Sequence, residues 1–373
     1  MMATQITSLN RRFTNIFLSD YFVLYMSLAY VIVLAPFLPT LLTPQNLSNV
    51  LSNTWPLLVV AIGQTFVLAV AGIDLSQGAV IGLTSILCAM LIAVTGNPNV
   101  LSNAPIWGLV INEDGGFLNG LPLAVPLAII VTLFVAAGVG ALNGIAVAVM
   151  GMPAFMTTLV MMLIVSALAI YLPLSENINQ LPDSYVALGK GDIVSVYFGT
   201  KSESQISRRV IYSLFTYPML ISMTVAFSAH VLLNRTVFGR QVLAVGANRR
   251  ASEISGVPVT RIIILVFVIS AVCAGLASVL YSGRLEAGRP TLGAGTFLLD
   301  VIGAAVIGGT SLFGGKAKIK WTFFGVLFFV LLSNTLNLMN LTAFVVDMVK
   351  GGVILSAALL DVLRTKLLRE RTT

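Results

Sequence analysis

Two carboxylates stand inside otherwise apolar stretches, and they are the first residues here whose type and setting could do chemistry. Asp74 lies in Gly72-Ile73-Asp74-Leu75-Ser76, and Asp300 in Phe297-Leu298-Leu299-Asp300-Val301-Ile302. An ionisable group at bilayer depth is costly and usually marks a pathway, a relay or a paired charge. Asp74 or Ser76 is also placed to cap the helix that follows by accepting its free N–H groups. Capping and lining a pathway are compatible, because a helix start at membrane depth is tolerated only where protein or a cavity covers it. Asp300 either faces a polar cavity or pairs with Arg284 or Arg289. Asp347 and Lys350 are three apart, share a helix face, and read as an internal ion pair. Asn143, Asn334 and Asn337 add amides to apolar runs, as interhelical hydrogen bonds or ligand contacts.

Other chemistries find little support. His230 is the single histidine, which excludes a multi-histidine metal site and leaves no Ser/His/Asp set beyond itself. It falls near a predicted inner membrane face and reads as interfacial. Cys88 and Cys273 both sit in apolar runs and read as small buried hydrophobes. The segment from Gly308 to Lys316 looks phosphate-binding, but the P-loop pattern places Gly where Thr310 stands and Ser or Thr where Ala317 stands. No cofactor is expected. The net charge of +7 sits in short connections between apolar runs rather than in a nucleic-acid footprint, so no nucleic-acid partner is expected.

The elements that must position these residues are membrane helices. Of the 373 residues, 57% are hydrophobic and 9% charged, with a mean hydropathy of +0.98. A soluble domain carries roughly a quarter charged residues, so lipid is the solvent for most of these side chains. Apolar runs cover 21–41, 55–72, 76–95, 122–149, 155–173, 213–233, 262–283, 297–313, 322–339 and 344–363. About 20 residues cross a bilayer; the runs at 55–72 and 297–313 are short enough to be tilted or re-entrant. The expected fold is an all-α integral membrane protein of about ten helices in two inverted-repeat halves, 21–173 and 213–363. Arg11 and Arg12 precede a first run too long for a signal h-region, so no cleavable signal peptide is expected.

Placing both ends in the cytoplasm puts 14 of the 21 Lys and Arg inside, among them Arg235, Arg240, Arg249, Arg250, Arg261, Lys316, Lys318 and Lys320. Arg208 and Arg209 run against that rule. Glu113, Asp114, Glu176, Asp183, Asp192 and Glu203 fall in the long outer connections 96–121 and 174–212, which are either solvated loops or a docking surface for an external partner. The apolar pattern breaks at 72–76 and again at 284–295. Paired breaks in halves of opposite sense are what an inverted repeat predicts, and such breaks tend to line substrate routes. Gly78-x-x-x-Gly82 and Gly140-x-x-x-Gly144 favour close helix approach. In the cytoplasmic connection 234–261, Asn248 to Ser255 reads as a short helix, capped by Asn248 and stopped by Gly256 and Pro258.

These stretches together resemble the ribose-type carbohydrate permease subunits of bacterial ABC importers. The resemblance is carried, in order over roughly 55–361, by Ala71 to Gly78, Gly140 to Gly144, Met152 to Leu159, Thr236 to Asn248, Ser255 to Val257, Pro290 to Gly293, Asp300 to Gly315 and Val349 to Gly351. It implies two permease copies, as homodimer or heterodimer, in a bacterial inner membrane with its lipid, two cytoplasmic ABC ATPase subunits, and a periplasmic sugar-binding protein. It also implies that 248–256 is a coupling helix gripped by the ATPase, with Asn248, Ala251, Ser252, Glu253, Ile254 and Gly256 as its contacts. Asp74, Ser76, Asn143, Asp300, Thr310 and Ser311 would then lie near the translocation path. Insertions near 97–121 and 200–209 depart from the family pattern and bear on which binding protein docks.

The expected function is a non-enzymatic sugar permease subunit driven by ATP hydrolysed elsewhere. The rivals are an ion-driven secondary transporter using Asp74 or Asp300, an ABC permease for a branched-chain amino acid, and a membrane-embedded enzyme. The last lacks any nucleophile–base or metal set.

Overall fold

The computed structural model describes residues 21–197 and 211–370. Arg11, Arg12, Glu203, Arg208, Arg209 and Arg371, with the insertion at 200–209, lie outside the described residues. The elements run α1 (Phe22–Leu34), α2 (Pro44–Ala69), α3 (Gln77–Ile92), α4 (Pro98–Leu101), β1 (Ile111–Asn112), β2 (Gly115–Gly116), α5 (Ala124–Ala148), α6 (Ala154–Tyr171), α7 (Asp183–Lys190), β3 (Asp192–Tyr197), β4 (Ile211–Thr216), α8 (Tyr217–Arg235), α9 (Val237–Ala247), α10 (Arg249–Ile254), α11 (Val259–Leu285), α12 (Phe297–Ile307), α13 (Ile319–Leu338) and α14 (Ala343–Glu370). Helices dominate. β1–β2 and β3–β4 are two small antiparallel pairs within the long connections.

Each expected apolar run carries a helix, with three corrections. First, the run at 55–72 is not short: α2 starts at Pro44 and has 26 residues. Thr43 Oγ1 accepts the Asn46 N–H at 3.4 Å and Pro44 occupies the first turn, a start signal masked by the polar stretch 45–54. Second, the connection 234–261 holds an additional helix, α9, capped by Thr236 Oγ1 on the Gly239 N–H at 3.2 Å. Third, the run at 297–313 ends as a helix at Ile307. Eleven residues rise only about 17 Å, roughly half the bilayer core. Among the described residues, six helices (α2, α5, α6, α8, α11 and α13) are long and apolar enough to cross a membrane by length and composition.

α11 is the central post. It packs along α5, α2 and α3, and Val266, Phe267, Ala274 and Ala277 are fully buried in that core. Gly140 and Gly144 of α5 lie flat on it: a Cβ at either would sit about 2.5–2.6 Å from Phe267 O or Ile264 Cα. The expected close approach is thus with α11. On their outer sides α5 and α6 expose large apolar residues such as Phe134, Leu142, Leu163 and Ile164. Cys88 and Cys273 are free and buried.

Both breaks feed short helices that begin beside each other. α2 ends at Ala69, Ala71 takes a left-handed φ of 61°, and the chain runs without helix to Gln77. After α11, the linker 286–296 lies along α3: Arg289 N–H donates to Ser85 Oγ at 3.1 Å, and Gly293 meets Gly78 with no room for a side chain on either. Gly78 is also next to Leu298 at the start of α12. α3 packs on α11, and α12 packs on α2.

Candidate functional site

The break at 70–76 is held by a buried polar cluster. Asp74 is fully buried. Its Oδ1 accepts from Ser76 N–H at 2.9 Å and from Ser76 Oγ at 2.6 Å; its Oδ2 accepts from Ser270 Oγ at 2.6 Å. Asn143 Nδ2 donates to Ser76 Oγ at 2.9 Å, and Gln77 Nε2 to Ser270 Oγ at 2.9 Å. Thr158 Oγ1 donates to the Ile73 carbonyl at 3.1 Å. The Asn143, Gln77, Ser76 and Ser270 donors point in chains toward one carboxylate, and with the Thr158 bond to the Ile73 carbonyl they tie α3, α5, α6 and α11 to the break. Ser270 is close to the middle of the 27-residue α11, so the cluster lies deep in the bundle.

This corrects the capping expectation. Neither Asp74 nor Ser76 makes a side-chain cap to the body of α3; Asp74 bonds the N–H of Ser76, just ahead of the helix. Asp74, Ser76 and Asn143 are brought together as expected, and Asn143 makes the interhelical bond. Ser270 and Gln77 belong to the same cluster, and the sequence reading missed both. Their signal was a hydroxyl and an amide on apolar segments, one of them inside the Gly72–Gly78 stretch. Gln77 Oε1 and Asn143 Oδ1 are buried with no protein partner, as are both polar atoms of Gln64.

Asp300 is not part of that cluster. It pairs with Lys350 Nζ at 2.8 Å, both side chains less than a fifth exposed, which overturns pairing with Arg284 or Arg289. Arg284 Nη1 instead donates to Asn53 Oδ1 at 2.8 Å. The expected Asp347–Lys350 pair is absent for the same reason: Lys350 turns to α12, and Asp347 Oδ1 accepts from Thr296 Oγ1 at 3.2 Å. The pair pins the half-length α12 to α14. Asp300→Ala is expected to cost about 2–4 kcal/mol, somewhat below a fully buried pair because water reaches both groups. Asp300→Ala combined with Lys350→Ala should recover part of that loss, read as melting temperature in detergent.

Asn334 exchanges two hydrogen bonds with Asn46, at 2.9 and 2.8 Å; Asn337 is exposed. Thr310 is buried with an unpartnered hydroxyl, and Ser311 is nearly buried, both in the turn after α12. They do not join the Asp74 cluster. His230 Nδ1 bonds Asn234 Nδ2 at 2.9 Å. Among the described residues no group of three or more His, Cys, Asp or Glu is placed to hold a metal. The Asp74 cluster thus consists of hydroxyls, amides and one enclosed carboxylate, all buried.

α10 matches its expectation closely. Asn248 Oδ1 accepts the Ala251 N–H at 2.9 Å, and Gly256 closes the helix at φ 80°. Ser252 is buried against the bundle, while Ala251, Glu253 and Ile254 are exposed. Glu253 bonds Arg249 at 3.3 Å. At the far end of α11, Ile178 and Gly288 exchange backbone hydrogen bonds, and a cavity of about 400 Å³ opens between 95–101 and 176–180.

A family model described as the permease component of a branched-chain amino acid transport system matches residues 46–358. The chain is 30% identical over 364 residues to the ribose import permease protein of Escherichia coli strain K12, covering 96% of this chain and 99% of that one. It is 33% identical over 332 residues to the ribose import permease protein of Bacillus subtilis strain 168, 89% of each chain. It is 29% identical over 323 residues to the L-arabinose ABC transporter permease protein of Azospirillum brasilense, covering 87% of this chain and 81% of that one. The chain matches no solved structure. With its long apolar helices, the similarity makes it a multi-pass membrane protein. End-to-end likeness to transport permeases and a family match across most of the length have one meaning: this chain belongs to the transport-system permease-component family.

Proposed function

We propose that this chain is the membrane-spanning permease subunit of an ATP-binding cassette importer, carrying a monosaccharide or related sugar across a bacterial cytoplasmic membrane. The observation that carries the reading is end-to-end similarity to permeases named for ribose and arabinose. The hydroxyls and amides gathered around Asp74 are in keeping with it, since a neutral, polar solute needs hydrogen-bonding groups along its route. ATP hydrolysis belongs to separate cytoplasmic subunits, a second permease copy completes the membrane core, and an external sugar-binding protein delivers the substrate. Both chain ends face the cytoplasm. Residues 21–173 and 213–363 form inverted repeats, a reading supported by the meeting of α3 and α12 and their reciprocal packing on α11 and α2. Residues 234–261 form the cytoplasmic coupling loop, and 174–212 a periplasmic one.

The family description favours a second reading, import of a branched-chain amino acid. Deleting the gene separates the two. Loss of uptake of one or more radiolabelled monosaccharides, with leucine uptake unchanged, supports the sugar reading; the reverse refutes it. Orientation has its own test. A cysteine in place of Asn248 should react with an impermeant maleimide only after cells are opened, and one in place of Glu113 without opening. The reverse at either position refutes the topology.

A further inference from the structure

The turn between α12 and α13 carries the Gly-Gly-Thr-Ser-Leu-Phe-Gly-Gly stretch that resembles a phosphate loop without being one. It is a knuckle closed by its own hydrogen bonds. Ser311 N–H donates to the Lys316 carbonyl at 3.0 Å, Gly314 N–H to the Ser311 carbonyl at 3.2 Å, and Phe313 N–H to Ser311 Oγ at 3.2 Å. Phe313 stands at its tip, 68% exposed. Lys316, Lys318 and Lys320 follow at once, so that in the orientation proposed above the tip lies at the basic, cytoplasmic edge.

The base of the knuckle is fused to two other segments. Gly315 N–H donates at 3.0 Å to the carbonyl of Ala69, the last residue of α2. A Cβ on Gly314, which has φ +79°, would lie 2.7 Å from Gly246 O and 2.8 Å from Ala71 Cβ; one on Gly246 would overlap the Ala69 carbonyl. Ala247, against Gly315, immediately precedes the Asn248 cap of α10. Backbone therefore meets backbone where α2, α9 and the turn converge, and only glycine fits that approach. Ile254 of α10 is 82% exposed.

We propose that the 308–316 knuckle is a second contact for the ATPase subunit, alongside α10, with Phe313 seated in an apolar pocket whose rim is acidic. The inference rests on the importer reading above. A ring carried on a backbone already fixed by hydrogen bonds costs less backbone freedom on docking, as a good interface anchor requires. The basic residues that follow Phe313 and those at Arg249 and Arg250 suit an acidic rim. Through the junction, movement of the ATPase reaches Ala69–Ala71, and so the Asp74 break, directly as well as through α10.

The test uses the assembled importer in native membranes. Phe313 and Ile254 are each replaced, separately, by the photo-cross-linking analogue benzoylphenylalanine and irradiated. Both positions should cross-link to the ATPase subunit. Cross-linking from Ile254 but only lipid adducts from Phe313 overturns the knuckle and leaves the importer reading standing. No ATPase adduct from either overturns both. In parallel, Phe313→Glu should lower uptake about ten-fold, the effect of losing one interface anchor, while Phe313→Leu keeps most of it at equal membrane levels. Normal uptake by Phe313→Glu also overturns the proposal.

Discussion

Asp74→Leu is expected to abolish uptake, or prevent assembly, while Asp74→Asn keeps much of the wild-type rate. Leucine would leave the Ser76 N–H, the Ser76 hydroxyl and the Ser270 hydroxyl without their acceptor deep in the bundle. Each such group costs about 1–3 kcal/mol when stranded away from water. Asparagine keeps an acceptor toward Ser76. Its amide N–H₂ would face Ser270 Oγ, whose own proton can turn to Gln77 Oε1 if that amide rotates; this oxygen has no other protein partner. Uptake normalised to membrane-inserted protein reads the difference. If Asp74→Asn is as dead as Asp74→Leu at normal expression, the carboxylate does more than organise the break. A proton-carrying role would then replace the present one.

The second large effect concerns α10. Glu253→Arg and Gly256→Trp should disconnect transport from ATP hydrolysis while leaving the protein in the membrane. Glu253 is half-exposed and its ion pair with Arg249 is a surface pair, worth little to stability. Gly256 has open space around it, and its φ of 80° makes any side chain cost about 1–2 kcal/mol. Neither change threatens the fold by more than that. Each alters what the cytoplasmic surface shows a partner: a third arginine beside Arg249 and Arg250, or an indole at the helix end. ATP hydrolysis by the assembled complex should lose its response to substrate, and uptake should fall at least about ten-fold, as for a lost interface anchor. Normal coupled uptake in both variants would remove α10 from the coupling role.

Local signals were the legible ones. The α10 cap joins residues three apart and was visible as Asn248 before a short helix stopped by Gly256. Asp74, Ser76 and Asn143 were visible singly, as polar groups on apolar runs. Their convergence was not, because it pairs residues 67 positions apart, and the Ser270 bond spans 196. The partner of Asp300 was misread because Arg284 and Arg289 are nearer in sequence, whereas the half-length α12 delivers Asp300 to Lys350, 50 residues on. α2 looked short because hydropathy weighs the polar residues 45–54 against a span, while the Thr43–Pro44 start signal went unused. The Gly246–Gly314 junction leaves no side-chain pattern at all, since it consists of backbone contact.

The proposed importer draws its energy from ATP hydrolysed by a partner and not from an ion gradient. The direct measurement is initial sugar uptake in intact cells under two treatments. One collapses the proton gradient with a protonophore while cellular ATP is held constant; the other depletes ATP with the gradient intact. Uptake should persist under the first and be lost under the second. Uptake that collapses with the gradient at constant ATP, and survives ATP depletion, would contradict the importer account and establish a secondary transporter in its place.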